Sequence, residues 1–252
     1  MQCDPDARIK VAPDRVQSFS APRVIRNGAA FFTKAERKHR YLSCVWFSML
    51  MALSEVSRMH ASHNSPRSLA QHPVDVLREE HQLLLRVVDA MENESRDMLA
   101  GGRMEPEFWR RVVEFLEHYQ DRLHHQKEES VLFPELARLG LARAVASVAA
   151  LSAEHSEGRR AVRTILDALA RRDVSRLSHA AIGFCRRERM HIAREEEQLL
   201  PACAEALSAD QAARLAQAFE AHRETVDPMI LARCEGIARF VSVSEELETF
   251  SG

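Results

Sequence analysis

The pattern His-x3-Glu-x5-Pro occurs twice in this chain at a spacing of 67 residues: His124, Glu128 and Pro134 in HHQKEESVLFP, then His191, Glu195 and Pro201 in HIAREEEQLLP. A single His and Glu at i, i+4 constrains little, because such pairs commonly share a solvated helix face. Here the same offset superimposes Phe115 on Ile182, Leu132 on Leu199 and Phe133 on Leu200, so apolar and ionisable positions repeat together. Accidental matching on solvated faces would not carry the core positions along. A second echo precedes each copy, Glu80-His81 in REEHQLL and Glu154-His155 in SAEHSEG. The chain is therefore expected to hold two helix pairs. Each gives one His from its first helix and a His/Glu pair from its second.

Length and composition agree with a helical chain. The 252 residues suffice for one sizeable core with extensions or for two small domains. Only eight Gly occur among long Ala/Leu/Arg/Glu tracts. A formal charge of −2 gives no reason to invoke nucleic acid or an anionic membrane surface. The five Cys (Cys3, Cys44, Cys185, Cys203, Cys234) are odd in number and form no C-x-x-C. A reducing cytosol suits them better than a disulfide framework. Cys185 and Cys203 are expected as small buried helix residues.

Three regions are expected: an N-terminal extension over 1–71, a helical domain over 72–232 and a weakly specified tail over 233–252. The extension holds a basic stretch, TKAERKHR, before the apolar run YLSCVWFSMLMAL, which is too short to span a bilayer. Its order resembles a signal peptide, but it lies well inside the chain and lacks a clear cleavage site. Translation starting at Met51 or Met59 is the plainer alternative. From Val74 the period is helical. A first helix to Leu99 has Val76, Leu77, Leu84, Val87, Val88 and Met91 as its core stripe and stops at Gly101-Gly102. Pro106 suits the first turn of a second helix, which runs to the LFP segment before Gly140. A third carries His155 and continues to Leu169; Asp173 caps a fourth, from about Val174 to Leu207. Ser208 and Gln211 have capping-box spacing and open a short fifth helix. Short connections pack four helices into an antiparallel up-down-up-down bundle.

Residues i and i+4 lie one turn apart on one helix face, so His124 projects with Glu128 and His191 with Glu195. His81 and His155 have apolar neighbours and are expected to face inward with them. Buried imidazoles and carboxylates are costly unless compensated, and metal coordination compensates them. This donor set suits Fe, Mn or Zn rather than Ca or Mg. Four imidazoles, two bridging carboxylates and a bridging oxide or hydroxide supply about ten of the roughly twelve bonds that two six-coordinate ions take. One position per metal then stays open to a small ligand. His125 and Glu129 form a competing i, i+4 pair. Repeat register places them about 100° further round the helix, unless a local bulge shifts the inward face. Asp121 and His118 are further candidates for a partner or solvated role. Trp109 and Tyr119 are expected in or beside the core, and Glu80 and Glu154, about 100° round from the ligand positions, outside the ligand set, either supporting a ligand or at the surface. His222 is expected at the surface.

These residues resemble the hemerythrin-like, or HHE, cation-binding domain over about residues 72–230. The resemblance implies a four-helix bundle with a non-haem di-iron centre, two irons bridged by carboxylates and oxide or hydroxide. By motif, His81, His124, Glu128, His155, His191 and Glu195 match its ligand positions. The oxygen-carrying members have a second His one turn after the third-helix ligand, where this chain has Arg159. That departure weakens a carrier role and opens a coordination site. The implied function is binding or sensing O2, NO or peroxide, or iron handling under oxidative or nitrosative stress, in the cytoplasm. A di-iron enzyme consuming peroxide or repairing iron–sulfur centres is the rival, and an iron-responsive interaction module is a third reading.

Overall fold

The computed structural model describes residues 71–249, residue 141 excepted. The N-terminal extension up to residue 70, with its apolar run, Cys3 and Cys44, lies outside the described residues. Six helices and no strand occur among them. Helix α1 is Pro73–Leu99. Helix α2, residues 106–138, runs without a break from Pro106–Phe115 through the π-helical stretches Leu116–His125 and Glu128–Leu132 into Phe133–Arg138. Helix α3 is Ala142–Ala170. Helix α4, residues 174–206, joins Val174–Arg194, the π-helical Glu195–Leu199 and Leu200–Ala206. Helices α5 and α6 are Ala209–Arg223 and Pro228–Thr249.

The boundaries follow from local chemistry. The Asp173 carboxylate accepts from the Arg176 N–H at 3.0 Å and opens α4. Ser208 and Gln211 satisfy each other's backbone N–H as a capping box. Gly101 and Gly140 take φ of +95° and +65° and let the chain leave α1 and α2 in the left-handed region. The expected weakly specified tail is instead mostly helical: α6 buries Leu231, Cys234, Ile237 and Ala238 and packs on α1 and α2. Its apolar spacing of three and four residues is a helical stripe that follows Asp227-Pro228, a good helix start.

The apolar residues form two clusters. One gathers Leu84, Val88 and Met91 with Trp109, Phe115, Tyr119, Phe184 and α6. The other gathers Val74, Leu77, Leu132, Leu136, Leu151, Leu199, Leu200 and Phe219. On α1, α2 and α4 the chain between these two sets carries the buried ionisable residues: Glu80-His81, His124 to Glu128, and Glu188 to Glu195. The polar centre is thus walled by hydrocarbon at both ends, where each unpaired polar atom costs about 1–3 kcal/mol.

Candidate metal centre

The repeated Pro explains the local backbone. Proline has no N–H, and its ring clashes with the carbonyl four residues back. Each copy relieves this with a π-helical turn placed just before the Pro. The Phe133 N–H reaches Glu128 O, and the Leu200 N–H reaches Glu195 O, both five residues back. Glu128 and Glu195 are the first residues of these two stretches, which match residue for residue across the 67-residue offset. The Glu-x5-Pro spacing therefore encodes a bulge that sets the carboxylate's direction.

All six expected ligands are buried and meet at one place. His81, His124, Glu128 and Glu195 offer atoms within 4.8 Å of one another, as do Glu128, His155, His191 and Glu195. Both carboxylates belong to both groups. Glu128 turns Oε1 toward His124 Nε2 at 3.8 Å and Oε2 toward His155 Nε2 at 3.4 Å. Glu195 turns Oε2 toward His81 Nε2 at 3.1 Å and Oε1 toward His191 Nε2 at 3.3 Å. Each carboxylate thus presents one oxygen to each pair of imidazoles.

The outer nitrogens are held by a ring of carboxylates. His81 Nδ1 meets Glu196 at 2.7 Å, His124 Nδ1 meets Glu80 at 2.9 Å, His155 Nδ1 meets Glu129 at 2.8 Å, and His191 Nδ1 meets Glu154 at 2.9 Å. An ionised carboxylate only accepts, so Nδ1 carries the hydrogen and Nε2 faces inward, with a free lone pair wherever the imidazole is neutral. Each of these Glu is in turn held by a cation: Glu196 by Arg78, Glu80 by Lys127, Glu129 by Arg159 and Glu154 by Arg194. The repeat extends into this layer, since Lys127 and Arg194 are also 67 residues apart. Glu80 and Glu154, expected outside the ligand set, hold two of the candidate histidines, His124 and His191, in place.

His125 departs from its expected position. Repeat register turned it outward, yet it is 3% exposed and groups with His155 and His191, its ring stacked on that of His155 at 3.9 Å. The cause is the π-helical stretch Leu116–His125, which has no counterpart in α4. An i→i+5 turn holds an extra residue, so neighbours are separated by a smaller angle and His124 and His125 both face inward. Glu129 keeps its outer place. Arg159, which stands where the oxygen carriers have a second His, pairs with Asp121 at 2.7 Å and with Glu129. On this side the extra imidazole comes from α2, as His125. The doubled His in HHQKEE was the available signal. Glu188 was missed by the sequence reading: it is buried one turn before His191, and its Oε1 lies 3.9 Å from His125 Nε2. His222 ties α5 to α2 through the Arg122 carbonyl at 2.9 Å. Cys185 and Cys203 are buried, as expected.

Burial holds most of these groups in their neutral forms. Burial, then the neighbouring cationic His81 and Lys127, holds His124 well below its ordinary value. Burial and His155 do the same to His125, and burial with His191 and Arg159 takes His155 down to about 2. Burial, then Glu195, pushes Glu128 up, and burial raises Glu188. His81 is the exception. Burial lowers it, but Glu195 and Glu196 outweigh that and raise it to about 9. His124 Nε2, His125 Nε2, both oxygens of Glu128 and Oε1 of Glu195 are buried with no hydrogen-bond partner. Buried polar atoms are nearly always satisfied, so these convergent orphans fit bound metal.

Comparison with curated proteins and with solved structures returns no match. A family model, the hemerythrin HHE cation binding domain, matches residues 72–203, from the first residues of α1 into the last turns of α4. The span contains all six expected ligands, His125 and their four carboxylate partners, and the chain belongs to the hemerythrin HHE cation-binding family.

Proposed function

We propose that this chain is a non-haem di-iron protein that binds or senses a small molecule, O2, NO or peroxide, or handles iron under oxidative or nitrosative stress. The observation that carries this reading is the pair of four-residue groups sharing Glu128 and Glu195, each carboxylate facing both sides. One ion would be held by His81 and His124, the other by His155, His191 and His125, with both carboxylates bridging. Four helices supply these ligands, which supports the antiparallel up-down-up-down bundle for α1 to α4. Imidazole and carboxylate donors suit iron in this arrangement.

When bound, the metal pair supplies Lewis acidity and one-electron chemistry. The chain's own residues do the rest. The four Glu-held imidazoles keep their Nε2 atoms fixed on the centre, so binding requires little reorganisation. His81, raised to about 9, would give up its Nε2 proton to hold an ion, which would couple loading to pH. The apolar clusters on either side exclude bulk water. With His125 included, the residues and a bridging oxide or hydroxide would supply about eleven of the roughly twelve bonds two six-coordinate ions take, which would leave one position open rather than two. No described helix is long and apolar enough to cross a membrane.

Anaerobic reconstitution with ferrous iron, metal analysis and optical spectra with O2, NO and peroxide tests this. About two irons per chain and a spectrum altered by one of these ligands are expected. One ion or none after reconstitution would overturn the di-iron reading. Turnover of peroxide, as opposed to stoichiometric binding, would assign the centre to an enzyme.

A further inference from the structure

The centre is nearly symmetric about its internal repeat, but its surroundings are not. A cavity of about 190 Å3 lies between α3 and α4, lined by His125, His155 and Glu188 at its inner end. Gly158, Arg187 and Met190 line it further out. Gly158, one turn after His155, is half-buried; Arg187 is exposed and Met190 is 56% exposed. The repeat supplies the matching positions on α1 and α2, 74 and 67 residues earlier in the chain: Leu84, Gln120 and Leu123. All three are buried, and α6 packs over that face. The same architecture is therefore plugged on one side and open on the other.

Gly158 makes the opening. A glycine inside a helix costs about 1 kcal/mol relative to Ala, so it calls for a reason. Backbone conformation gives none, because its φ is not positive. Close packing gives none either: a Cβ built there meets no atom within 4 Å. What the missing side chain leaves is space above His155, where Leu84 fills the equivalent space above His81. A water takes about 30 Å3 of liquid volume, so the cavity has room for a molecule of a few heavy atoms. We propose that this cleft is the route by which small ligands reach the centre, and that Gly158 keeps it open. The proposal rests on the di-iron reading above.

The test uses the full chain loaded with iron, azide as the probe and stopped-flow absorbance. Gly158→Leu fills the cleft from α3, and Met190→Trp narrows its mouth from the exposed face of α4. Arg160→Leu, on the outside of α3, is the control. A route affects entry and exit alike. Association and dissociation rates of azide are therefore expected to fall together by about tenfold or more in both cleft variants, with Kd within about threefold and two irons retained. Unchanged rates in iron-loaded Gly158→Leu and Met190→Trp would overturn the proposal. A Kd that moves while the association rate holds would do the same. Should Gly158→Leu alone lose iron, Met190→Trp decides. The metal-free protein gives a readout independent of iron: ethoxycarbonylation of His155 and His191 by diethylpyrocarbonate, followed by peptide mass, should slow in both cleft variants and not in the control. Failure of the unsubstituted chain to hold iron would refute the di-iron reading, while slowed modification in the cleft variants would still support the route.

Discussion

Replacing Glu128 by Met should make the metal-free protein more stable while abolishing the two-iron centre. Glu128 is fully buried, and neither of its oxygens has a hydrogen-bond partner. Each orphaned acceptor costs about 1–3 kcal/mol. Burial and Glu195 drive the carboxyl toward its neutral form, so the low end of that range applies, about 2 kcal/mol for both oxygens. Methionine has a similar length and slightly more volume, and overpacking takes back up to about 1 kcal/mol. A net gain of about 1–2 kcal/mol remains, or a rise of about 2–8 °C in Tm at this domain size. Glu128→Gln keeps a polar buried group and should leave the metal-free Tm nearly unchanged. The assay is calorimetry of chelated protein alongside metal analysis after anaerobic reconstitution. A metal-free Glu128→Met protein melting several degrees below its parent would refute the reasoning, because the carboxylate would then be structural. Retention of two irons would refute the bridging role.

Three further outcomes are expected. His124→Ala and His125→Ala should each lose iron or alter the optical spectrum strongly, whereas Glu129→Ala should keep both irons and release them about 10–100-fold faster to a chelator; a spectrum unchanged in His125→Ala would exclude it from the ligand set. Removing residues 1–70 should leave iron content and helicity intact, which metal analysis and circular dichroism check, since the ligand-bearing helices begin at Pro73; an insoluble or iron-free product would place the extension within the domain. The metal-free chain should lose stability as pH falls below about 6.5, the ordinary His value. His124, His125 and His155 stay neutral when folded but take up protons when unfolded, so the unfolded state binds more protons there. His81, raised to about 9, acts in the opposite sense at higher pH: its stabilisation is full below about 6.5 and fades toward 9. Glu128 and Glu188, raised by burial, bind protons when folded and oppose this trend, two groups against three; a stability that rises as pH falls from about 6 to 5 would contradict these shifts.

Much of this protein was legible along the chain, because helix periodicity, caps and ligand spacing are local. The starts of α2, α4 and α5 follow from Pro106, Asp173 and the Ser208–Gln211 box. The six ligand candidates follow from one repeated pattern with its Glu-His echo. What remained hidden depended on contacts between helices or on departures from the ideal helix. His125 turns inward only because Leu116–His125 winds as a π-helix, and a sequence read at 3.6 residues per turn places it outside. Glu188 looks like one more charge in RRERMH until packing buries it beside His125. The roles of Glu80, Glu129, Glu154 and Glu196 each require a histidine on another helix. Gly158 is a mild helix breaker in the sequence and an opening only when compared with Leu84 across the fold. The sequence alone determined which side chains are able to bind metal, since that is a property of residue type and register. Only the tertiary structure decided which of them share a centre and which face stays open, because both depend on how separate helices pack.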